Sequence, residues 1–135
     1  MRIFLDTNVL ASGLMGRGLC HDLLDRILIE HVVLLGVPVH EELFRILTTK
    51  FHVPTELWRQ IETALDALER TPSVTTPLAI PIPDPDDAPI LACALAALAD
   101  IFVTGDKALL GIRKIDDMPI VSPRQLWRIL SGIGG

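Results

Sequence analysis

The sequence predicts an α/β fold, a three-layer α/β/α sandwich with a central parallel sheet of about five strands. Three observations predict it. Short apolar, β-branched segments alternate with longer segments of helical periodicity, the pattern of strands joined by crossover helices. The first such segment, within Met1–Leu5, is apolar on both faces, as a central parallel strand covered by helices must be. Finally, Pro83–Leu110 reads as helix, strand and turn in immediate succession, with acids at both ends of the run.

Taken in order, Met1–Leu5 is the first strand, Asp6 stands at its carboxyl end, and Thr7-Asn8 begin a turn into the apolar segment Val9–Met15. Gly16-Arg17-Gly18 breaks the chain. Leu19, Leu23, Leu24, Ile27 and Leu28 then recur at helical spacing, giving an amphipathic helix over about Leu19–Ile29. Val32–Leu35 is a second buried strand that could run past Gly36 to Val39. His40-Glu41-Glu42 opens a helix carrying Leu43, Phe44, Ile46 and Leu47, and Thr55 caps the next, whose apolar side is Leu57, Ile61, Leu65 and Leu68. Pro72–Pro83 is punctuated by proline and holds at most short edge strands, around Val74 and Ile80–Ile82.

A helix follows from about Ala88 to Ala99, with Asp87 at its start and proline tolerated in its first turn. Ile101–Val103 is a buried strand ended by Gly105, with Asp106 just beyond it. Asp116-Asp117 is a turn and Pro119–Val121 a last short strand. Ser122-Pro123-Arg124-Gln125 is a capping box with proline at the first helical position, starting a helix through Leu130. Ser131–Gly135 is expected to fray. No repeat or linker divides the chain, so one domain spans residues 1–135.

Half of the 135 residues are apolar, yet no apolar run reaches the roughly 18 residues of a membrane span, which points to a densely packed core. The N-terminus enters the first strand without a signal-peptide layout. Cys20 and Cys93 lack metal-ligand or redox spacing and read as reduced core residues, so a cytoplasmic protein is expected. His21, His31, His40 and His52 form no zinc-type pair. A net charge of −5 argues against holding nucleic acid through a broadly basic surface, but not against an acidic centre neutralised by metal.

Four acids fall near one edge of this sheet: Asp6, Glu42, Asp87 and Asp106. In a parallel sheet that is the carboxyl-end edge, where open α/β folds place their sites. Crowded carboxylates repel, and a divalent cation removes the penalty; hard oxygen ligands in this number suit Mg²⁺ or Mn²⁺. Such an ion activates water and stabilises phosphoryl oxygens, so phosphodiester hydrolysis is the fitting reaction. Each acid has a simpler explanation. Asp87 and Asp106 suit helix caps, worth about 1 kcal/mol, and Glu42 suits a first turn favoured by the helix dipole. Asp6 is harder to dismiss, because a buried strand has no need of an acid at its end. Asp84 and Asp86 read as a polar loop from which Asp84 could reach a metal's outer shell, Glu41 and Asp100 read as surface acids, and Lys107 as a solvated lysine. Thr104 and Asn8 could orient a ligating carboxylate or water.

Four stretches then stand in order and at suitable spacing: Asp6-Thr7-Asn8-Val9-Leu10, Glu42-Leu43 before Ile46-Leu47, Asp84-Pro85-Asp86-Asp87, and Val103-Thr104-Gly105-Asp106-Lys107. Together they resemble the PIN-domain family, and most of all its branch of VapC-related toxin components of toxin–antitoxin systems. The resemblance covers nearly the whole chain. It implies a PIN-like, Rossmann-like sheet and a Mg²⁺- or Mn²⁺-dependent ribonuclease acting on RNA. It assigns metal binding and catalysis to Asp6, Glu42, Asp87 and Asp106, with Asn8 and Thr104 in support. A homodimer and a small antitoxin protein as partner are implied as well. One departure is Ala88, where this branch often has asparagine. Two other functions fit parts of the pattern. Asp6 could be the nucleophile of a haloacid-dehalogenase-type phosphatase, although that family usually has a second aspartate where Asn8 stands. The fold could also serve as an RNA- or protein-binding module with a weakened metal site.

Overall fold

The computed structural model describes residues 1–132. Its elements run β1 (Arg2–Leu5), α1 (Thr7–Met15), α2 (Leu19–Glu30), β2 (Val32–Gly36), α3 (Val37–Thr49), α4 (Thr55–Leu65), β3 (Glu69–Thr71), a 3-10 turn (Pro85–Asp87), α5 (Ala88–Ala96), β4 (Ile101–Val103), α6 (Lys107–Ile112), β5 (Lys114–Ile115), β6 (Met118–Val121) and α7 (Pro123–Leu130). The strands form one sheet in the order β3-β2-β1-β4-β6-β5. Neighbours are parallel except β5 and β6, which pair antiparallel. The sheet therefore has six strands rather than about five, the sixth arising because Asp116-Asp117 turns the chain back within four residues of β6's end.

Ile3, Phe4 and Leu5 of β1 and all three residues of β4 are buried, so helices must cover both faces of the sheet at its centre. Phe4 and Phe102 are register partners and stack with ring centroids 5.5 Å apart. At the end of β2 the backbone passes directly over this pair. A Cβ at Gly36 would lie 2.8 Å from Phe4 Cζ and 3.0 Å from Cys93 Sγ, which is why the position takes glycine.

Several boundaries differ from expectation for identifiable reasons. The second strand does not extend to Val39; α3 begins at Val37, with Pro38 in its first turn where its missing N–H costs nothing. Thr7 and Asn8 are the first helical residues of α1 rather than a turn, because Asp6 caps that helix. Thr55 is the first residue of α4, and Pro54 holds the cap position without a side-chain bond. No strand forms around Val74 or Ile80–Ile82. The edge strand is β3, immediately before Pro72, and its Glu69 forms a 2.7 Å ion pair with Arg2. Prolines beyond it cannot donate to a ladder. The α5 helix stops at Ala96, where the Arg2 guanidinium donates to the Ala97 carbonyl from Nε and Nη2. At the other end of the chain the Ser122–Gln125 capping box forms as expected. Ser131 and Gly132 still close α7 through N–H bonds to Trp127 and Ile129; the rest of the expected frayed tail lies outside the described residues.

Candidate active site

The strand order turns at β1: β2 and β3 lie on one side, β4 and β6 on the other. Ligands of open α/β folds bind outside the carboxyl ends of strands at such a switch point. The register Leu5↔Val103 sets Asp6 and Thr104 side by side there. Asp6 N–H donates to the Val103 carbonyl at 2.9 Å, and Thr104 N–H to the Val121 carbonyl at 3.0 Å, so both residues extend the ladder by one step.

Asp6 is only 7% exposed. Its Oδ1 accepts from Thr7 N–H at 2.9 Å and its Oδ2 from the Thr104 hydroxyl at 2.7 Å. Burial raises the Asp6 carboxyl above its ordinary range; the two hydrogen bonds partly oppose this, and the charge of Asp106 adds to the rise. Thr104 is completely buried and bridges two of the acids, because its Oγ1 also accepts from Asp106 N–H at 3.1 Å. Beside it, the completely buried Thr7 leaves its Oγ1 without a hydrogen-bond partner among the described residues.

Asp106 caps α6: its Oδ1 accepts from Ala108 and Leu109 N–H groups at 2.8 and 3.3 Å. The simple explanation for this residue is thus geometrically true, yet it occupies one oxygen only. Asp87 caps α5 by position but makes no side-chain cap bond. Instead its carboxyl is pushed up to about 6 by burial and by the negative charges of Asp6, Asp84, Asp106 and Glu42, in decreasing order. The charges of the other three acids singled out in the sequence, and that of Asp84, therefore all bear on Asp87. Asp87 rather than Asp86 is the half-buried member of its pair. Glu42, half-buried, sits in the second turn of α3, beyond the reach of a first-turn dipole effect.

Other expectations fare differently. Asn8 is exposed in α1 and its side chain bonds no carboxylate among the described residues. Asp84 holds the 3-10 turn by accepting from Asp86 N–H at 2.9 Å. Lys107 is exposed, and Asp100 accepts from Arg2 N–H at 2.7 Å, a structural tie. Among the described residues no three acidic, imidazole or thiol groups stand close enough together to hold a metal ion as they are. The donor set is nevertheless one of hard oxygens, and the charges that act on Asp87 are negative. That fits Mg²⁺ or Mn²⁺, which retain several waters and need few direct protein ligands.

Residues 2–108 match the family model described as PIN domain. The chain belongs to the PIN-domain family. A search of curated protein sequences found no match. Among solved structures, this PIN domain is similar in fold to VapBC2 from Rickettsia felis, solved bound to a DNA fragment from their promoter. The TM-score is 0.64 over 90% of this chain and 98% of that chain, at 15% identity. Among the described residues of this PIN domain, no helix is long and apolar enough to cross a membrane.

Proposed function

We propose that this PIN domain is a Mg²⁺- or Mn²⁺-dependent endoribonuclease and the toxin of a toxin–antitoxin pair. One observation carries the reading: at the switch point of the sheet, burial and the charges of Asp6, Asp84, Asp106 and Glu42 push the Asp87 carboxyl up to about 6, and Asp6 itself is buried and doubly hydrogen-bonded. Such crowding is unfavourable unless a cation offsets it. Asp6, Glu42, Asp87 and Asp106 would hold the ion, with Asp84 behind them. Once bound, the ion supplies a water of lowered pKa and stabilises charge on phosphoryl oxygens.

The chain's own residues prepare that centre. Thr104 donates to Asp6 Oδ2 and so fixes the carboxylate orientation, and it anchors the Asp106 backbone at the same atom. Asp106 spends Oδ1 on α6 and keeps Oδ2 for a ligand. Retention of all four acids in a PIN domain favours an enzyme over a binding module. The phosphatase alternative is disfavoured because Asn8 stands where that family usually has a second aspartate. The fold-level similarity to VapBC2 favours the toxin reading with a small antitoxin protein as partner; a homodimeric assembly and a cytoplasmic site of action complete the proposal.

The test is cleavage of RNA by the purified protein in Mn²⁺ or in EDTA, beside Asp106→Asn. Asparagine also caps helices well, so that variant keeps α6. Cleavage that requires metal and disappears in the variant is expected. Cleavage persisting in Asp106→Asn would remove that residue from the centre. A folded protein that neither cleaves RNA nor binds Mn²⁺ would be a binding module instead.

A further inference from the structure

A groove of about 510 Å³ runs between α1 and the end of α3, and its lining includes Asn8, Met15, Arg17, Ile46, Lys50 and Phe51. Two of its lining residues, Asn8 and Ile46, neighbour the carboxylates along the chain. Asn8 is two residues past Asp6, and Glu42, Ile46 and Lys50, four residues apart, share one face of α3. From Glu42 that face reaches Lys50 about 12 Å further on. The far end carries Arg17 and Lys50, and no acid lines the groove among the described residues. Neither cation forms an ion pair among the described residues. On a protein of net charge −5 this is a local cationic end to a path that starts at the acidic centre. Beside it Phe51 is 55% exposed and Met15 41%, an aromatic and apolar surface open to a flat partner.

Resting on the ribonuclease reading, we infer that this groove carries a single-stranded stretch of the RNA away from the carboxylates. Arg17 and Lys50 contact its phosphates, and Phe51 stacks on one base. Two cations without interleaved acids suit a polyanion. An exposed ring suits a base whose face is free, which single strands offer and duplexes hide. Scissile bond and groove are then contiguous, so the bound strand lies across Asp6 and Glu42 before it reaches Lys50.

The experiment measures binding of a fluorescein-labelled, random-sequence 12-nucleotide single-stranded RNA by anisotropy in EDTA, where nothing is cleaved. The Arg17→Gln/Lys50→Gln variant is expected to bind at least tenfold more weakly at 50 mM NaCl. Its salt slope, log affinity against log salt, should be shallower by about 1.4, two single-strand phosphate contacts. Phe51→Leu should bind about fivefold or more weakly with the slope unchanged. Arg17→Lys/Lys50→Arg should restore the wild-type slope, which loss of folding could not do. Absence of RNA binding by the wild type, or substitutions that leave affinity and slope unmoved, would overturn the inference and leave the groove to a protein partner. Cleavage in Mn²⁺, read in parallel, separates the two proposals. Equal cleavage of this RNA by wild type and the glutamine variant overturns the path and keeps the nuclease. The binding signature with neither cleavage nor Mn²⁺ binding by any sample keeps the path and overturns the nuclease.

Discussion

Asp87→Asn should make the metal-free protein more stable, and only above the acidic range. The folded-state carboxyl titrates near pH 6 against an ordinary value of 3.8. A raised carboxylate means that the folded state binds the proton more tightly than the unfolded chain. Stability is therefore greatest below pH 3.8, declines as pH rises through the interval up to about 6, and carries the whole penalty above it. The interval of about two pKa units would be worth about 3 kcal/mol if fully expressed. Asp87 is partly open to solvent and salt, so about 1 kcal/mol is the expected gain at pH 7.5. For a domain of this size that is about 3 °C in melting temperature. Asparagine loses nothing else, since the Asp87 side chain makes no cap bond. Thermal melts in EDTA at pH 4, 5, 6 and 7.5 read the effect, with a gain near zero at pH 4 rising to its plateau above pH 6. A loss of stability at pH 7.5, or a gain that does not change with pH, would refute the crowding on which the site assignment depends.

Other perturbations probe the remaining parts. Thr104→Val keeps the shape but leaves Asp6 Oδ2 and Asp106 N–H without their shared partner, and should cost about 2 kcal/mol in urea unfolding at pH 7.5; Thr104→Ser should stay near wild type, and equal losses would mean the methyl group, not the hydroxyl, matters. Gly36→Ala forces a Cβ against Phe4 and Cys93 and should cost 1–3 kcal/mol, because Phe4 is held by Phe102 and cannot retreat; a neutral alanine would show that β2 has room to move. Mn²⁺ should raise the melting temperature of the wild type, by an amount equivalent to about 2.7 kcal/mol at one hundred times its Kd, and should not do so for Asp6→Asn; equal shifts in both would place the ion elsewhere.

Much of this was legible in the sequence, for reasons that can be named. Central strands β1 and β4 are continuous apolar runs because helices cover both of their faces, and their ends are marked by the acids that follow. Ser122 and Gln125 announce α7 through two reciprocal bonds within four residues. What was missed lacks such local marks. Strand β3 is Glu69-Arg70-Thr71, which has no apolar pattern; it is a strand because β2 offers a free edge and Arg2 binds Glu69. The start of α3 was hidden because Val37-Pro38-Val39 carries strand-like residues, and only the crowding of Gly36 against Phe4 fixes where the strand ends. At the site, spacing singled out acids for one edge of the sheet, while the Thr104 hydroxyl as the link between Asp6 and Asp106 required the β1–β4 register.

Capping and catalysis are often set against each other as explanations for an aspartate, and the proposed centre would join them. Asp6 caps α1 and Asp106 caps α6, each through Oδ1. In both cases the bond to the helix N-terminus fixes where the carboxylate sits before any ligand arrives, and helix ends favour negative charge. Asp87 has the cap position without the bond, and burial with neighbouring negative charge pushes its carboxyl up to about 6. Its charge has no helix-capping hydrogen bond to compensate it. A cation arriving at this edge would therefore gain most from Asp87, while Asp6 and Asp106 supply the fixed frame. The order of effects follows: substitution at Asp87 should act chiefly on metal affinity, whereas Thr104 substitutions should disturb the frame itself and lower activity even at saturating metal.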